Sequence, residues 1–304
     1  MSPTPQERLL QARHSLLGLS IGDALGKRLF LDLAFRAERR LPASPWTFTD
    51  DTRMASAIVT NLQEHHHIHQ DQLAVAFAAD FMAQPERGYG AVAHFILHQM
   101  AQGTPWQQAT TSVYGGEGSK GNGGAMRAGP VGAFFFDDLD HCAHQARLSA
   151  QVTHAHPDGQ AGAIAAALTA AVITQAKRAA LAVELDDAWK QIIARTPEGE
   201  TREGLKRAQA LGTAAPAVAA AELGSGIGVL SSDTTPFALW FALHHHHQGF
   251  ESALWTLFGA LPSPDSDNDT IAAIVGSIVA LADPDSIPEF WFQAVEKTPH
   301  TAHI

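Results

Sequence analysis

The sequence predicts an all-α protein, an orthogonal bundle of many helices forming a single domain over residues 1–304. Three observations carry this. Apolar residues recur at spacings of three, four and seven along most of the chain, the period of an amphipathic helix. Alternating apolar and polar runs of the kind that build half-buried strands are almost absent. Glycine and proline gather between the periodic stretches, and there is no internal repeat. With 45% hydrophobic residues, the chain has enough apolar mass to close a large core.

The first helix is predicted over 6–20, with Leu9, Leu10, Leu16, Leu17 and Leu19 apolar, and it runs into a glycine-spaced segment. Gly18, Gly22 and Gly26 repeat every four residues, so they share one helix face and favour close packing against another helix. A linker with Pro42 and Pro45 leads into Thr47-Phe48-Thr49-Asp50-Asp51-Thr52-Arg53-Met54. The helix after it carries Met54, Ala55, Ile58 and Leu62 on one face. Further helices are predicted over 71–82, 91–100 and 105–113. A glycine-rich loop, 115–124, interrupts them. They resume over 125–136, 139–152, 159–177, 186–194, 204–211 and 214–223, with a loop at 224–235. The last four are 236–245, 251–261, 270–281 and 287–296.

Bulk properties narrow the function. A net charge of -11 argues against a nucleic-acid binder held by phosphate contacts. The overall field also repels an anionic substrate, which would need a local site of backbone N–H groups or a metal. Cys142 is the only cysteine, so neither a disulfide framework nor a thiolate zinc cluster is available. The first eleven residues lack the apolar core of a signal peptide, and no uninterrupted apolar run is long enough to span a bilayer. The expectation is a cytoplasmic monomer that binds neither nucleic acid nor membrane.

Two acidic turns are the chief candidates for chemistry. Asp50 and Asp51 open one helix, flanked by threonines; an ordinary N-cap needs only one side-chain oxygen, and adjacent acids repel unless a cation lies between them. Pro264-Asp265-Ser266-Asp267-Asn268-Asp269-Thr270 repeats the arrangement before Ile271, Ile274, Val275 and Ile278. It is no EF-hand, because Thr270 and Gly276 stand where glycine and glutamate are required. Two all-oxygen clusters suit hard divalent ions, Mg²⁺ or Mn²⁺, as a pair.

The 115–124 loop holds a G-x-G-x-x-G at Gly116, Gly118 and Gly121. No strand precedes it, so its use is either a run of N–H groups that cradles a diphosphate or a plain flexible connection. His154 is either a ligand contact or a satisfied helix-end histidine. The runs His65-His66-His67 with His69, and 244–247, lie near helix ends, where a protonatable side chain suits the dipole.

Together these stretches resemble the ADP-ribosylhydrolase (ADP-ribosylglycohydrolase) family. The matches are Gly22-Asp23-Ala24-Leu25-Gly26, Thr49-Asp50-Asp51-Thr52, Ser119-Lys120-Gly121-Asn122-Gly123-Gly124-Ala125-Met126-Arg127, Thr153-His154 and Asp267-Asn268-Asp269-Thr270. They follow the family's order across about residues 12–282. Glu86-Arg87-Gly88-Tyr89-Gly90, the loop from Gly118, and 148–155 most resemble the ADP-ribosylhydrolase 3 branch.

The resemblance implies two Mg²⁺ or Mn²⁺ ions held by Thr49, Asp50, Asp51, Asp267, Asp269 and Thr270, with Asp50, Asp51 and Asp269 taking part in catalysis. It implies ADP-ribose, free or on a protein, as the ligand. The diphosphate would lie on Gly118, Ser119, Gly121, Asn122 and Gly123, His154 would contact the distal ribose or nearby phosphate, and Tyr114 would stack on adenine. The implied reaction is hydrolysis of an O-linked ADP-ribose, such as serine-ADP-ribose or O-acetyl-ADP-ribose. Arginine-linked substrate and a non-catalytic ADP-ribose-binding or structural role are the alternatives. The sequence departs from the family at Phe30, where a glutamate is usual, at Asp265-Ser266 in place of a glycine pair, and at Lys120 in place of a tyrosine. Without that glutamate, proton transfer would fall to metal-bound water or to another carboxylate, such as Asp32.

Overall fold

The computed structural model of the chain describes residues 3–31, 38–261, 263 and 265–302, the side chains of 29–31 excepted. Phe30 therefore lies in a described helix with its side chain outside the described residues, and Asp32 lies outside them altogether. Among the described residues the chain forms fifteen α-helices and no strand, the predicted class. They are α1 Pro5–Leu31, α2 Asp50–His65, α3 Gln70–Ala83, α4 Ala91–Ala101, α5 Trp106–Thr111, α6 Gly129–Phe134, α7 Leu139–Gln151 and α8 Pro157–Ala179. The rest are α9 Leu185–Arg195, α10 Glu200–Leu211, α11 Pro216–Leu223, α12 Ser231–His245, α13 Phe250–Ala260, α14 Asn268–Ala282 and α15 Glu289–Ala294.

The core is built on α8 and α14. Every residue of α8 from Asp158 to Thr174 is buried, and alanine and glycine dominate the run, so neighbouring helices approach closely. This helix is long and apolar enough to cross a membrane. Its apolar window is 89% buried in the fold, which marks it as a core helix. Pro157 starts it, and the His156 ring accepts from the Asp158 amide at 3.0 Å, capping one of the orphan donors of its first turn.

Helix α1 continues without a break through Gly18, Gly22 and Gly26. The stripe is where α1 meets α14. A Cβ at Gly18 would stand 2.2 Å from the Gly276 carbonyl oxygen, and one at Gly22 would stand 2.0 Å from that of Ala272. Only glycine permits this approach, and it holds the N-terminal helix against the helix that carries the second acidic turn.

Two elements differ from expectation. The helix predicted over 125–136 is only Gly129–Phe134, because the Asn122 carbonyl accepts from both Ala125 (2.8 Å) and Met126 (3.1 Å) in a tight 3₁₀ turn. Pro130 cannot donate to a preceding turn, so α6 starts afresh with Pro130 in its first turn. Conversely, α12 begins at Ser231, inside the predicted 224–235 loop, and carries Pro236 in its second turn. Gly204 of α10 gives that ring clearance, since a Cβ there would meet Pro236 Cγ at 2.5 Å.

The chain's C-terminal segment braces the first acidic turn. Val295 pairs with Trp46 in an isolated parallel bridge, and the Glu296 carboxylate takes Arg87 in a two-pronged pair at 2.7 and 2.8 Å. Arg87 also donates to the Phe48 carbonyl, while its own carbonyl accepts from the Asp50 amide at 2.9 Å.

Candidate functional site

Asp50 and Asp51 form the first turn of α2, and Thr49 is its N-cap, with Oγ1 accepting from the Asp51 amide at 3.3 Å. The turn is fastened from beneath by Asp23 of α1. Its carboxylate accepts from the Thr49 amide at 3.0 Å, the Thr52 amide at 3.1 Å and the Thr52 hydroxyl at 2.6 Å. Asp23 is wholly buried. The sequence reading gave it no role. Its signal was an acid in an apolar, glycine-spaced stretch, directly after Gly22, which is pressed into another helix.

The second acidic turn arrives from the far end of the chain on α14. Gly26 brings it in, since a Cβ there would stand 2.5 Å from the Asn268 carbonyl oxygen and 2.7 Å from Asp269 Cα. Asp267 is the N-cap residue, yet its side chain makes no capping bond. It accepts instead from Asn122 Nδ2 at 2.6 Å, which ties the acidic turn to the glycine loop.

One cavity of about 1110 Å³ collects these parts. That exceeds the roughly 300–1,000 Å³ of pockets for drug-sized ligands. Its wall includes Asp50, Asp51, Asp267, Asp269 and Thr270, the loop 118–123, Tyr114 and His154. The two acidic turns therefore share one site. Thr49 sits behind the acids, its hydroxyl bonded to Asp51. Tyr114 stands at the rim, 62% exposed. Lys27 and Lys120 also line the wall, as do Asp265 and Ser266.

The acids are packed where they resist ionisation. Burial, reinforced by Asp269, pushes Asp23 up to about 7. Burial and then the charges of Asp23, Asp269 and Asp267 push Asp50 up to about 8. Asp51 is raised well above the carboxylate range by the same causes, and Asp267 is raised to about 7 by burial and Asp269. Arg127 is the buried cation facing Asp50 and Asp51, and burial pulls it down to about 9.

The donor set fits a hard divalent cation. It is all-oxygen and mutually repelling; Thr49, Asp50, Asp51 and Thr270 are buried, Asp267 and Asp269 half-buried, and Asp51 Oδ2 is buried without a hydrogen-bond partner. Among the described residues no three His, Cys, Asp or Glu side chains already stand as a finished chelate, so threonine hydroxyls and some closure of the two turns would have to complete one. The histidine runs form no such group either. The His65, His67 and His69 rings lie 5.0–6.2 Å apart around the end of α2, where His66 is its left-handed cap and His69 caps α3.

The glycine loop is less open than its sequence implies. The amides of Gly118, Gly121 and Asn122 already donate within the protein, to Val113 O, Ser119 Oγ and Val229 O. Of the run of N–H groups that could cradle a diphosphate there, those of Gly121 and Asn122 are thus already engaged. Among the described residues, the amides of Ser119 and Lys120 make no hydrogen bond to the protein. Gly118, at φ 82, takes a left-handed backbone against Ala155 that permits this fold of the loop.

The family model for ADP-ribosylglycohydrolase matches residues 1–304. The chain belongs to the ADP-ribosylglycohydrolase family. It is 28% identical to ADP-ribosylhydrolase ARH3 of Homo sapiens, over 95% of this chain and 90% of that one. Against ADP-ribosylhydrolase ARH3 of Bos taurus the identity is 30%, over 95% and 89%. A solved structure described as an ADP-ribosylglycohydrolase-related protein complex superposes with a TM-score of 0.62 at 20% identity. It covers 96% of this chain and 94% of that one, and shares the fold.

Proposed function

We propose that the protein is a divalent-metal-dependent hydrolase that cleaves the glycosidic bond between ADP-ribose and an O-linked acceptor. The family and the two ADP-ribosylhydrolase relatives support hydrolysis at an ADP-ribose glycosyl bond. The pair of Mg²⁺ or Mn²⁺ ions and the O-linked acceptor are our reading of the site.

The observation that carries it is the meeting of two acidic turns, one buried and one half-buried, on the wall of one cavity, with Asp51 Oδ2 unpartnered. Asp50, Asp51, Asp267 and Asp269, with Thr49 and Thr270, would hold the ions. Bound there, such a pair supplies positive charge for orienting ribose hydroxyls and lowers the pKa of a water. The chain's own groups do the rest. The free amides of Ser119 and Lys120 face the diphosphate, His154 contacts the adjoining phosphate, and the exposed Tyr114 ring offers a platform for adenine. Asp50, Asp51 and Asp269 position the reacting sugar, whose cleavage develops oxocarbenium character that carboxylates stabilise.

Peptides carrying serine-linked or arginine-linked ADP-ribose, incubated with and without Mg²⁺ or Mn²⁺, test this. The expected result is metal-dependent release from the serine-linked peptide. Release from the arginine-linked peptide alone would reassign the acceptor. No release from either, with ADP-ribose still bound and activity appearing in Phe30→Glu, would make the protein a binding module that lacks its acid.

A further inference from the structure

The groove between the two acidic turns and the glycine loop contains a histidine whose protonation pattern is set from behind. Arg127 is 1% exposed and sits over the Phe77 ring. Its Nη2 donates to the Ser149 carbonyl at 3.2 Å and to Thr153 Oγ1 at 2.7 Å. Thr153 Oγ1 in turn lies 2.7 Å from His154 Nδ1. A guanidinium is only a donor, so the Thr153 oxygen receives a hydrogen from Arg127. Its own hydrogen needs an acceptor, and the hydroxyl makes no third hydrogen bond among the described residues. The acceptor is therefore the Nδ1 lone pair. Were Nδ1 protonated, the Thr153 hydrogen would be buried without a partner, an arrangement that folded proteins avoid.

The consequence appears on the other side of the ring. With Nδ1 accepting, a neutral imidazole carries its proton on Nε2. Nε2 makes no hydrogen bond to the protein among the described residues, and the ring lines the cavity. It faces the glycine loop: a Cβ at Gly121 would stand 3.4 Å from Nε2, and one at Gly123 would stand 3.5 Å from it.

We propose that Arg127 and Thr153 are positioning residues that hold His154 in its neutral Nε2–H tautomer, a fixed hydrogen-bond donor to a phosphate oxygen of the bound ligand. Burial and the nearby Arg127 charge push His154 down to about 3, so the ring stays neutral across the physiological range. A neutral donor recognises a phosphate oxygen by direction and does not rely on a charge that varies with pH. Naming the ligand as ADP-ribose rests on the function proposed above; the tautomer does not.

Nitrogen-15 NMR of ring-labelled histidine in the full-length, ligand-free protein at pH 7 tests this, with His154 assigned by His154→Gln. The expected spectrum has a bare Nδ1 and a protonated Nε2. Thr153→Val should move the Nδ1 resonance and weaken ADP-ribose binding by about fivefold, the worth of one neutral hydrogen bond. Thr153→Ser should restore both. A proton on Nδ1, or on both nitrogens, in the wild type overturns the proposal. So does a Thr153→Val variant with an unmoved Nδ1 resonance or unchanged affinity. If Thr153→Val does not fold, the wild-type spectrum and Thr153→Ser still decide. If the wild type shows the expected tautomer but binds no ADP-ribose, the relay stands and the ligand reading falls.

Discussion

Replacing Gly26 by alanine is expected to damage both stability and the acidic site. The added Cβ would stand 2.5 Å from the Asn268 carbonyl oxygen and 2.7 Å from Asp269 Cα. Such contacts settle at about 3.5–4.0 Å, so α1 and α14 must separate by about 1 Å. Overpacking of this kind costs about 1–3 kcal/mol, and both obstacles are backbone atoms that cannot rotate aside. Removing a mid-helix glycine returns about 1 kcal/mol of helix propensity. With the cost at the upper end of that range, the net loss is about 2 kcal/mol, or a fall in Tm of roughly 3 °C for a chain of this size. Because the displaced atom is Asp269 Cα, turnover should also fall, by roughly 10²-fold for a misplacement near 1 Å. Two further variants isolate the causes. Gly18→Ala meets Gly276 O at 2.2 Å, away from the acids, and should lose stability with turnover largely kept. Gly259→Ala, exposed in α13 with nothing within 4 Å, should be neutral or slightly stabilising. Thermal melts and metal-supplemented turnover of the three variants provide the comparison. Gly26→Ala behaving like Gly259→Ala would refute the packing argument, and a lowered Tm with intact turnover would refute the link to the site.

Three other outcomes are expected. Asp267→Ala should weaken Mn²⁺ binding at least tenfold in calorimetry while leaving the ion-free Tm unchanged or raised, because its side chain caps nothing and the lost Asn122 bond is offset by relief of a desolvated carboxylate repelled by Asp269; a loss of about 1 kcal/mol with normal ion affinity would mark it as structural only. Gly121→Val should weaken ADP-ribose binding, since even its Cβ would lie 3.1 Å from Ser119 Oγ and 3.4 Å from His154 Nε2; unchanged affinity by titration would remove the loop from the binding site. The rise in Tm on adding Mg²⁺ or Mn²⁺ should be larger at pH 8 than at pH 5. Asp23, Asp50 and Asp267 have folded values raised to about 7–8 from 3.8, so their contribution to ion-free stability is present below pH 3.8 and lost as pH rises through 7–8. Ions that bind the deprotonated acids reverse that loss, and an ion-induced rise that shrinks with pH would contradict the assignment.

The sequence by itself determined whatever is written in local pattern. Helical periodicity made the class all-α. Acids grouped with threonine at two helix starts marked Thr49, Asp50, Asp51, Asp267, Asp269 and Thr270 as one chemical kind, and the ordered motifs pointed to the family. It also placed the glycine stripe on one face of α1, although not what that face meets. Helix boundaries were read wrongly where prolines stood: Pro130 begins a short helix after a 3₁₀ turn, and Pro236 lies inside one, accommodated by Gly204. Tertiary structure alone decided the rest. Asp23 fastens the first acidic turn because α1 passes beneath it, and Asn122 reaches Asp267 because the glycine loop folds against the second turn. Arg127 and Thr153 orient His154 through a chain of donors whose direction depends on which groups are buried together. Periodicity records which face of a helix is apolar, whereas hydrogen-bond direction and charge repulsion depend on distances between segments far apart in the chain, and those distances exist only once the helices have packed.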